Sequence, residues 1–324
     1  MKMKNICYIS WAENCSRSDH TARELGGISH MIYLPNLGSK PSTILFKYSG
    51  QFIKTLRIIL REKPDAIFVM SPPIFAALPA WIYKIFTGTP FVIDTHTAAL
   101  LMPRWKHLQW LQHWLSRQAA TTIVHNEHLA EIVRKNGAHA TIVRDVPVHF
   151  SGNEKFSLNG QFSIAAVCSF NYDEPIKELF HAAKKLGNIQ FYMTGNPKHL
   201  KPEILAKKPD NVHLTGFISD ALYGDLISNA NAVITLTTRD HTMLRGAWEA
   251  IYQKTPVIVS DWPILQKNFP TGAVHVDNSV PGIITGIKDM QQNYADYKVG
   301  AVTLNLKKHA HWQETKKQIL DRLF

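Results

Sequence analysis

The segment 237–260 contains the residues with the clearest chemical potential. An apolar run at 232–236 predicts a strand, and the polar loop after it leads into a helix that we expect to begin near Thr242. The N–H groups that open a helix have no partner within it and suit a phosphate. Arg245 could add a charge-assisted contact one turn into the helix. Glu249 lies one turn further, where a carboxylate could accept hydrogen bonds from both hydroxyls of a ribose.

The same residues also have a purely structural interpretation. Asp240 could cap the helix, Arg245 could be solvated, and Glu249 could be a surface acid. Residue type and position alone leave both interpretations open.

A second candidate group follows an apolar strand predicted at 91–94. Asp94 and His96 come at its carboxyl end, where ligands bind parallel sheets. Either side chain could act as a general base, although His96 could also be a loop histidine bonded only to its neighbours. Upstream, Ser16, Arg17 and Ser18 precede the first predicted helix. Their N–H groups and the Arg17 cation could bind an anionic acceptor or a diphosphate, although serine is also an ordinary helix cap.

The 237–260 segment resembles the nucleotide-sugar site of GT-B glycosyltransferases, in particular glycosyltransferase family 4. That family carries a Glu-x7-Glu motif followed by Ala-Met-Ala-x-Gly-x-Pro-Val and a Ser. The matching run begins at Glu249 and ends at Ser260, with the sequence EAIYQKTPVIVS. The resemblance implies that Glu249 binds the donor ribose. It also implies that N–H groups near Thr242, Met243 and Leu244 bind the diphosphate and the donor sugar.

One position departs from the family motif. The first Glu would fall at position 241, where this chain has His241. A histidine can donate or accept a hydrogen bond but supplies no fixed negative charge. Family resemblance implies a retaining transferase with a residue at 241 near the reacting centre. Inversion stays open, and it would require a base such as Asp94 or His96.

Further matches extend along the C-terminal half. The run FNYDEPIK at 170–177 resembles a stretch of phosphatidylinositol mannosyltransferases in which cations hold the diphosphate. On that alignment Lys177 keeps the second cation, and Asn171 stands where the first, an Arg, would be. Lys177 could equally be solvated. Gly195 and Asn196 resemble a loop that holds the base, as does Phe217, which could instead lie in the core.

Short apolar runs alternate with helical patterns along the whole chain, which is typical of parallel sheets. A polar, turn-rich stretch at 146–160 predicts an interdomain linker. This pattern predicts two doubly wound sheets in tandem. The family resemblance implies that they form an α/β protein of the GT-B class, with two Rossmann-like doubly wound domains facing a central cleft. The N-terminal acceptor-binding domain would span 1–150, with a final helix at 305–324 packing back on it. The donor-binding domain would span 151–304.

The charge is uneven. The chain has 36 Lys and Arg residues against 25 Asp and Glu, a net charge of +11. Residues 1–150 hold 17 of the basic and 9 of the acidic residues, a net charge of +8. A basic half could face nucleic acid, an anionic membrane or a phosphorylated substrate. Helices at 44–62 and 104–117 combine apolar stripes with cations, and the second adds Trp110 and Trp114. Such stripes suit either a bilayer surface or core packing.

The sequence lacks several motifs that other classes of enzyme require. The sequence has no Asp-x-Asp pair, no Gly-x-Gly-x-x-Gly, no Walker loop and only three cysteines, without the spacing of a metal site. We therefore expect no metal and no cofactor, with Lys177, Arg245 and a helix dipole neutralising a UDP- or GDP-linked donor. Without a signal peptide or a long apolar span, the expected location is cytoplasmic, with possible attachment to the inner membrane face.

Together these features predict a hexosyltransferase of cell-surface polysaccharide biosynthesis. It would move a sugar from a nucleotide-diphosphate sugar to a glycan or a polyprenyl-diphosphate-linked acceptor. Two alternatives remain: a sugar-nucleotide epimerase on the same fold, and a basic nucleic-acid-binding protein. The basic half lacks the aromatic and glycine pattern of single-strand binders, and we expect no nucleic-acid partner.

Overall fold

The computed structural model describes residues 4–35, 37, 41–159, 162–240 and 242–324. The chain forms two compact units. Unit 1 comprises Met1–Pro147 and His311–Phe324, and unit 2 comprises Val148–Ala310. Each unit is built on one six-stranded parallel sheet.

The strands of unit 1 are short, apolar and, apart from the edge strands, buried on both faces, as expected for a parallel sheet covered by helices. They are β1 (Ile6–Ser10), β2 (Ile28–Met31), β3 (Ala66–Ser71), β4 (Phe91–Thr95), β5 (Thr121–Val124) and β6 (Ala140–Ile142). Their order across the sheet is β2-β1-β3-β4-β5-β6. The chain therefore reverses direction across the sheet between β1 and β3, which is the switch point where ligands bind such folds.

The strand β2 was not predicted from the sequence. Its four residues, ISHM, carry a polar pair and lie at the sheet edge with partial exposure, so they lack the apolar run that marks the inner strands.

The helices of unit 1 cover both faces of the sheet. They are α1 (Ser16–Glu24), α2 (Pro41–Glu62), α3 (Leu78–Thr87), α4 (Thr97–Leu101), α5 (Gln109–Gln118) and α6 (Glu127–Lys135). Two predicted helices begin as 3-10 turns, Ile74–Ala77 before α3 and Pro103–Leu108 before α5. Gly88 ends α3 with a φ of 75° and an N–H bonded to the Lys84 carbonyl, a conformation that glycine adopts without strain.

Unit 2 repeats this architecture. Its strands are β7 (Ser163–Ala166), β8 (Gln190–Thr194), β9 (Val212–Gly216), β10 (Ala232–Thr235), β11 (Val257–Ser260) and β12 (Ala273–Val276). Their order is β12-β11-β10-β7-β8-β9, so the switch point lies between β7 and β10. The sequence analysis missed β12, whose AVHV pattern is short and interrupted by a histidine.

The helices of unit 2 are α7 (Ile176–Lys185), α8 (Pro202–Leu205), α9 (Asp220–Asn229), α10 (Arg245–Tyr252), α11 (Pro263–Asn268), α12 (Val280–Gln292) and the first part of α13 (Tyr294–Leu320). The final helix thus begins at Tyr294 rather than near residue 305. Its last part belongs to unit 1, where Trp312 is buried and donates a 2.7 Å hydrogen bond to Glu24 Oε2. Ile319 lies in the same apolar cluster as Ile6 and Phe68, so this segment completes the core of unit 1.

Within the described residues, no helix combines the length and the apolar character that crossing a membrane requires.

Candidate active site

Glu249 is an acid of unit 2 whose carboxylate is buried and held by two side chains. It lies on α10, 6% exposed, and each carboxylate oxygen has a partner. Arg245 Nε donates to Oε1 at 2.7 Å, and the Tyr223 hydroxyl donates to Oε2 at 2.6 Å. Burial and the Glu249 charge raise the pKa of Tyr223 well above its ordinary value, so this phenol stays a donor. The surface-acid interpretation of Glu249 is therefore wrong, and its orientation is fixed.

Tyr223 was not singled out in the sequence. It lies on α9, 26 residues before Glu249. A tyrosine in an amphipathic helix is ordinary core material, so only the packing of α9 beside α10 reveals its role.

The helix that carries Glu249 begins later than the sequence predicted. Leu244 is its N-cap, with extended φ and ψ of −93° and 106°, and Thr242 and Met243 lie in the preceding loop. The Leu244 and Met243 side chains pack in the core of unit 2, which holds the chain extended up to Arg245. The free N–H groups of the first turn therefore belong to Arg245 and Gly246, not to Thr242, Met243 and Leu244. His241 lies outside the described residues.

Gly246 has a packing reason to be glycine. A Cβ at this position would lie 2.6 Å from Val167 Cγ1, in the segment that follows β7. The first turn of α10 is therefore pressed against the end of the neighbouring strand, at the switch point of unit 2.

The loops after β7 and β10 are tied together. Asp173 accepts a 2.9 Å bond from the Thr237 hydroxyl through its carboxylate, and its carbonyl accepts one of 2.7 Å from the Thr238 N–H. Trp262 Nε1 and Asn278 Nδ2 both donate to the Thr237 carbonyl, at 2.9 and 3.0 Å. These contacts fix the loop that leads to α10. Asp173, Trp262 and Asn278 were missed because each acts through a partner distant in sequence.

The loop from 168 to 174 is organised around Glu174. Its carboxylate accepts hydrogen bonds from the N–H groups of Ser169 at 2.9 Å and Asn171 at 3.1 Å. Burial raises the pKa of Glu174 above its ordinary value, although these backbone donors oppose that shift. Asn171 is exposed on this loop, and Lys177 is exposed in the first turn of α7. The structure thus places both residues beside the carboxyl end of β7.

The two loops predicted to hold the base differ in exposure. Gly195 has a φ of 100° and packs so closely on the Cys168 carbonyl that a Cβ would lie 2.4 Å from that oxygen. Asn196 accepts a 3.1 Å bond from the Lys198 N–H and caps a short turn. Phe217 follows β9 and is 83% exposed. The alternative that Phe217 lies in the core is therefore wrong, and its ring is free to contact a ligand.

In unit 1, Asp94 is fully buried at the end of β4. The Tyr8 hydroxyl donates to its Oδ2 at 2.6 Å, and Arg17 Nε pairs with the same oxygen at 3.2 Å. Burial raises the pKa of Asp94, but Arg17, His96 and these hydrogen bonds outweigh burial and hold it below the ordinary value. A carboxylate so stabilised in its charged form is a weak base, which argues against Asp94 as the group that takes a proton.

His96 is the better placed base. The backbone N–H of His96 donates a 2.8 Å hydrogen bond to the Ser71 carbonyl, which fixes the backbone at this position. The ring Nε2 is buried and has no hydrogen-bond partner within the described chain. Burial lowers the pKa of His96, and Arg17 lowers it further, although Asp94 acts in the opposite direction. At neutral pH the imidazole is therefore neutral and can accept a proton.

The proposed anion site at Ser16–Ser18 needs correction. These residues do not precede α1 but form its first turn. Ser18 is fully buried and receives a 2.6 Å hydrogen bond from the Ser10 hydroxyl, so it cannot contact a ligand. Arg17 is partly neutralised by Asp94 and also donates to the Val143 carbonyl at 3.3 Å. The structure assigns Arg17 a role in holding Asp94, and Ser16 remains partly exposed.

The candidate basic helices also divide their residues between core and surface. Tyr48, Phe52 and Ile59 of α2 pack into the core, whereas Leu45 and Leu60 from the same predicted stripe are exposed. On α5, Trp114 packs edge-on against Trp81 with ring centroids 4.7 Å apart, whereas Trp110 is 66% exposed.

A possible metal-ligand group lies in unit 1, although the sequence spacing indicated none. Within the described residues, ligand atoms of Cys7, His30 and Glu62 lie within 4.8 Å of one another. His30 Nε2 is 2.9 Å from Glu62 Oε2, and burial together with Glu62 raises the pKa of the Cys7 thiol to about 12. The thiolate that binds metals is therefore disfavoured at neutral pH, and an ordinary His–Glu pair accounts for the contact.

Two parallel six-stranded sheets, each flanked by helices, place the chain in the GT-B fold class. Residues 23–149 match the family model described as a glycosyl transferase 4-like domain. The predicted resemblance to glycosyltransferase family 4 and the predicted fold class are therefore both confirmed. No curated protein gives a significant sequence match.

Solved structures agree on the fold over the full chain. Sucrose-phosphate synthase from Thermosynechococcus elongatus is similar with a TM-score of 0.67 and 13% identity, covering 98% of each chain. Anabaena HepE in complex with UDP and glucose is similar with a TM-score of 0.64 and 12% identity, and the match covers 99% of each chain. A Listeria monocytogenes protein described as a UDP-N-acetylglucosamine 2-epimerase gives 0.63 and 12%, covering 92% of this chain and 90% of the other. At these identities the likeness establishes the fold alone.

Proposed function

We propose that this protein is a glycosyltransferase that moves a sugar from a UDP- or GDP-linked donor to a glycan or lipid-linked acceptor in cell-surface polysaccharide biosynthesis. The observation that carries the proposal is Glu249, a buried and oriented carboxylate beside the switch point of unit 2. A carboxylate held in this way can accept hydrogen bonds from the ribose hydroxyls without reorganising. The HepE complexes, which hold UDP or UDP-glucose on the same fold, support a nucleotide-sugar donor.

The rest of the donor site follows from the surrounding loops. Arg245 and Lys177 supply positive charge for the diphosphate, together with the N–H groups of Arg245 and Gly246. Asn171 offers a hydrogen bond where the family has an Arg. Gly195 and Asn196 allow close approach of the base, and the exposed Phe217 ring can stack on it.

The chemical step is displacement of the nucleoside diphosphate at the anomeric carbon. Positive charge on Lys177 and Arg245 stabilises the negative charge that develops on the departing diphosphate, without a metal ion. Retention is the outcome that the family resemblance implies. If the reaction inverts, His96 takes the proton of the acceptor hydroxyl, and NMR of the first-formed product distinguishes the two outcomes.

A thermal-shift experiment tests the donor site. At 100 times its dissociation constant, UDP or GDP should stabilise the folded protein by about 2.7 kcal/mol, which raises the melting temperature by roughly 5–10 °C. UMP, which lacks the second phosphate, should give a smaller shift. Equal melting temperatures with and without every nucleotide would contradict the proposal. Conversion of a nucleotide sugar without transfer to any acceptor would identify an epimerase instead.

We also propose that α2 attaches unit 1 to an anionic membrane surface. Phe46, Ile53 and Leu60 recur at seven-residue spacing and are 70%, 47% and 59% exposed. Lys54, Arg57 and Arg61 are exposed on the same helix. An exposed apolar stripe flanked by cations suits an interface between anionic headgroups and acyl chains. A lipid-linked acceptor would be reached from this position.

The double variant Phe46→Ser and Leu60→Ser should reduce binding to phosphatidylglycerol vesicles at least about tenfold, because it removes two side chains that would insert into the bilayer. Vesicle co-sedimentation measures the effect. The matched control is Val299→Ser with Leu306→Ser, two side chains of similar exposure on α13. Equal loss in both variants would contradict a specific role for α2.

A further inference from the structure

Unit 1 contains a cavity of about 340 Å³ that the donor site does not use. It opens at the switch point of the unit 1 sheet, since Trp11 and Ala12 follow β1 and Pro72 and Pro73 follow β3. This is the edge at which doubly wound sheets bind ligands. The remaining lining residues come from α2, from β3 and from the turn before α5: Ile44, Lys47, Tyr48, Gln51, Met70 and Arg104.

The cavity wall is cationic. Lys47 and Arg104 line it, and none of its lining residues is acidic. No ion pair joins either cation to a carboxylate in the described ranges of the chain. Each lies near an aromatic ring instead, with Lys47 Nζ 5.7 Å from the Tyr33 centroid and the Arg104 guanidinium 5.1 Å from that of Trp105. Because aromatic faces leave the N–H donors unused, both cations can bind an anion that enters the cavity.

One residue of the cavity lining has an unsatisfied polar atom. Gln51 is fully buried and donates through Nε2 to the Ile32 carbonyl at 2.7 Å, so its orientation is fixed. Its Oε1 is buried with no hydrogen-bond partner. Buried carbonyl oxygens are rarely left without a donor. A ligand hydroxyl or amide N–H would supply that donor.

Aromatic rings form an apolar side of the same cavity. Trp11 and Tyr48 both line it, with centroids 5.8 Å apart, and the Trp11 Nε1 is held by a 2.9 Å bond to Thr55. Fixed ring faces suit the C–H surface of a pyranose. The cavity volume falls in the range of small-molecule sites and suits a single sugar with a phosphate.

We infer that this cavity binds a sugar phosphate, the group by which the enzyme recognises its acceptor. Lys47 and Arg104 bind the phosphate, Gln51 Oε1 accepts a hydrogen bond from a sugar hydroxyl or acetamido N–H, and Trp11 and Tyr48 pack on the ring. This identification of the acceptor rests on the proposed glycosyltransferase function, although the binding itself does not. The shared chemistry is a phosphate attached to a sugar, either soluble or at the head of a lipid.

Isothermal titration of the full chain with N-acetylglucosamine 1-phosphate tests the inference. The double variant Lys47→Gln and Arg104→Gln should bind this probe about 100-fold more weakly, because two charge-assisted contacts are lost. The matched control, Lys63→Gln with Arg23→Gln, makes the same change of charge on exposed cations outside the cavity lining, and its affinity should stay within about twofold of the parent. Equal weakening in both variants would overturn the inference.

Further probes separate the parts of the ligand. Inorganic phosphate binding as tightly as the sugar phosphate would overturn the role of Gln51 and the aromatic rings. Neutral N-acetylglucosamine binding equally tightly would overturn the role of the cations. The same sugar phosphate on a lipid, presented in phosphatidylcholine vesicles, distinguishes a lipid-linked from a soluble source by which of the two binds more tightly.

A UDP thermal shift, run on the same samples, keeps the two proposals apart. Sugar phosphate binding without UDP stabilisation would contradict the proposed function and leave the cavity assignment standing. UDP stabilisation without sugar phosphate binding would overturn the cavity assignment alone. In the Lys47→Gln, Arg104→Gln variant we expect the UDP shift to be unchanged, because both residues lie in unit 1.

Discussion

Replacing Glu249 with alanine is expected to weaken UDP or GDP binding by about 100-fold or more. The carboxylate would otherwise accept hydrogen bonds from two ribose hydroxyls, and contacts with a charged acceptor contribute about 1.5–3 kcal/mol each. Titration calorimetry at neutral pH measures the change. Transfer activity at low donor concentration should fall in parallel.

The alanine variant also leaves Tyr223 and Arg245 without their shared partner. An unpaired buried hydroxyl costs about 1–3 kcal/mol, so the melting temperature of the unliganded variant should fall as well. Glu249→Gln separates the two effects, since the amide oxygen can still accept the Tyr223 hydrogen bond while the charge is lost. Compared with Glu249→Ala, Glu249→Gln should restore more of the melting temperature than of the affinity for UDP.

Glu178→Ala is the matched control, because this acid also lies on a helix of unit 2 and, among the described residues, forms no hydrogen bond or ion pair with Glu249 or its two partners. Its affinity for UDP should equal that of the parent. Unchanged affinity in a folded Glu249→Ala protein would remove the central assignment of the donor site.

Loss of His96 should reduce turnover by about 10²–10⁴-fold if it is the base that activates the acceptor. Its buried, unpartnered Nε2 is the atom that would receive the proton. His96→Ala should leave UDP binding unchanged, because the donor residues belong to unit 2 and His96 to unit 1. The measurement is the transfer rate at saturating donor.

The pH profile gives an independent test of the same residue. Burial lowers the pKa of His96 below 6.5, so the imidazole is already neutral at pH 7. If His96 is the base, activity should be flat around neutrality and fall only as the pH drops through a value below 6.5, where His96 takes up a proton.

The neighbouring His125 makes a useful control for this profile. Burial, Arg17 and His96 lower its pKa as well, and it shares a 2.9 Å hydrogen bond with the Thr97 hydroxyl. His125→Gln should keep the acidic limb of the profile, whereas His96→Gln should abolish it. If the fall in activity at low pH persists in His96→Gln and disappears in His125→Gln, then His125 and not His96 is the titrating base.

The class of architecture and the sheet edges at which chemistry can occur were predictable from the residue pattern alone. Apolar runs such as Phe91–Thr95 and Gln190–Thr194 were recognisable as strands because burial on both sheet faces requires an unbroken apolar segment. The candidate residues Asp94, His96 and Glu249 followed from their positions after such strands or in the helices that succeed them. The strands β2 and β12, which were not predicted, are short edge strands.

Which side chains meet could not be predicted from the residue pattern, because their partners are distant in sequence. Arg17 pairs with Asp94, 77 residues away, and Tyr223 orients Glu249. Because Met243 and Leu244 pack in the core, α10 begins at Arg245 rather than near Thr242. Phe217 is exposed and does not lie in the core. The cavity lined by Gln51 and Arg104 joins residues from β3, from the segments that follow β1 and β3, from a long helix and from a turn. Local residue patterns indicate whether a position is buried. The partner of a buried side chain depends instead on which strands and helices become neighbours, and the packing of the whole chain determines those neighbours.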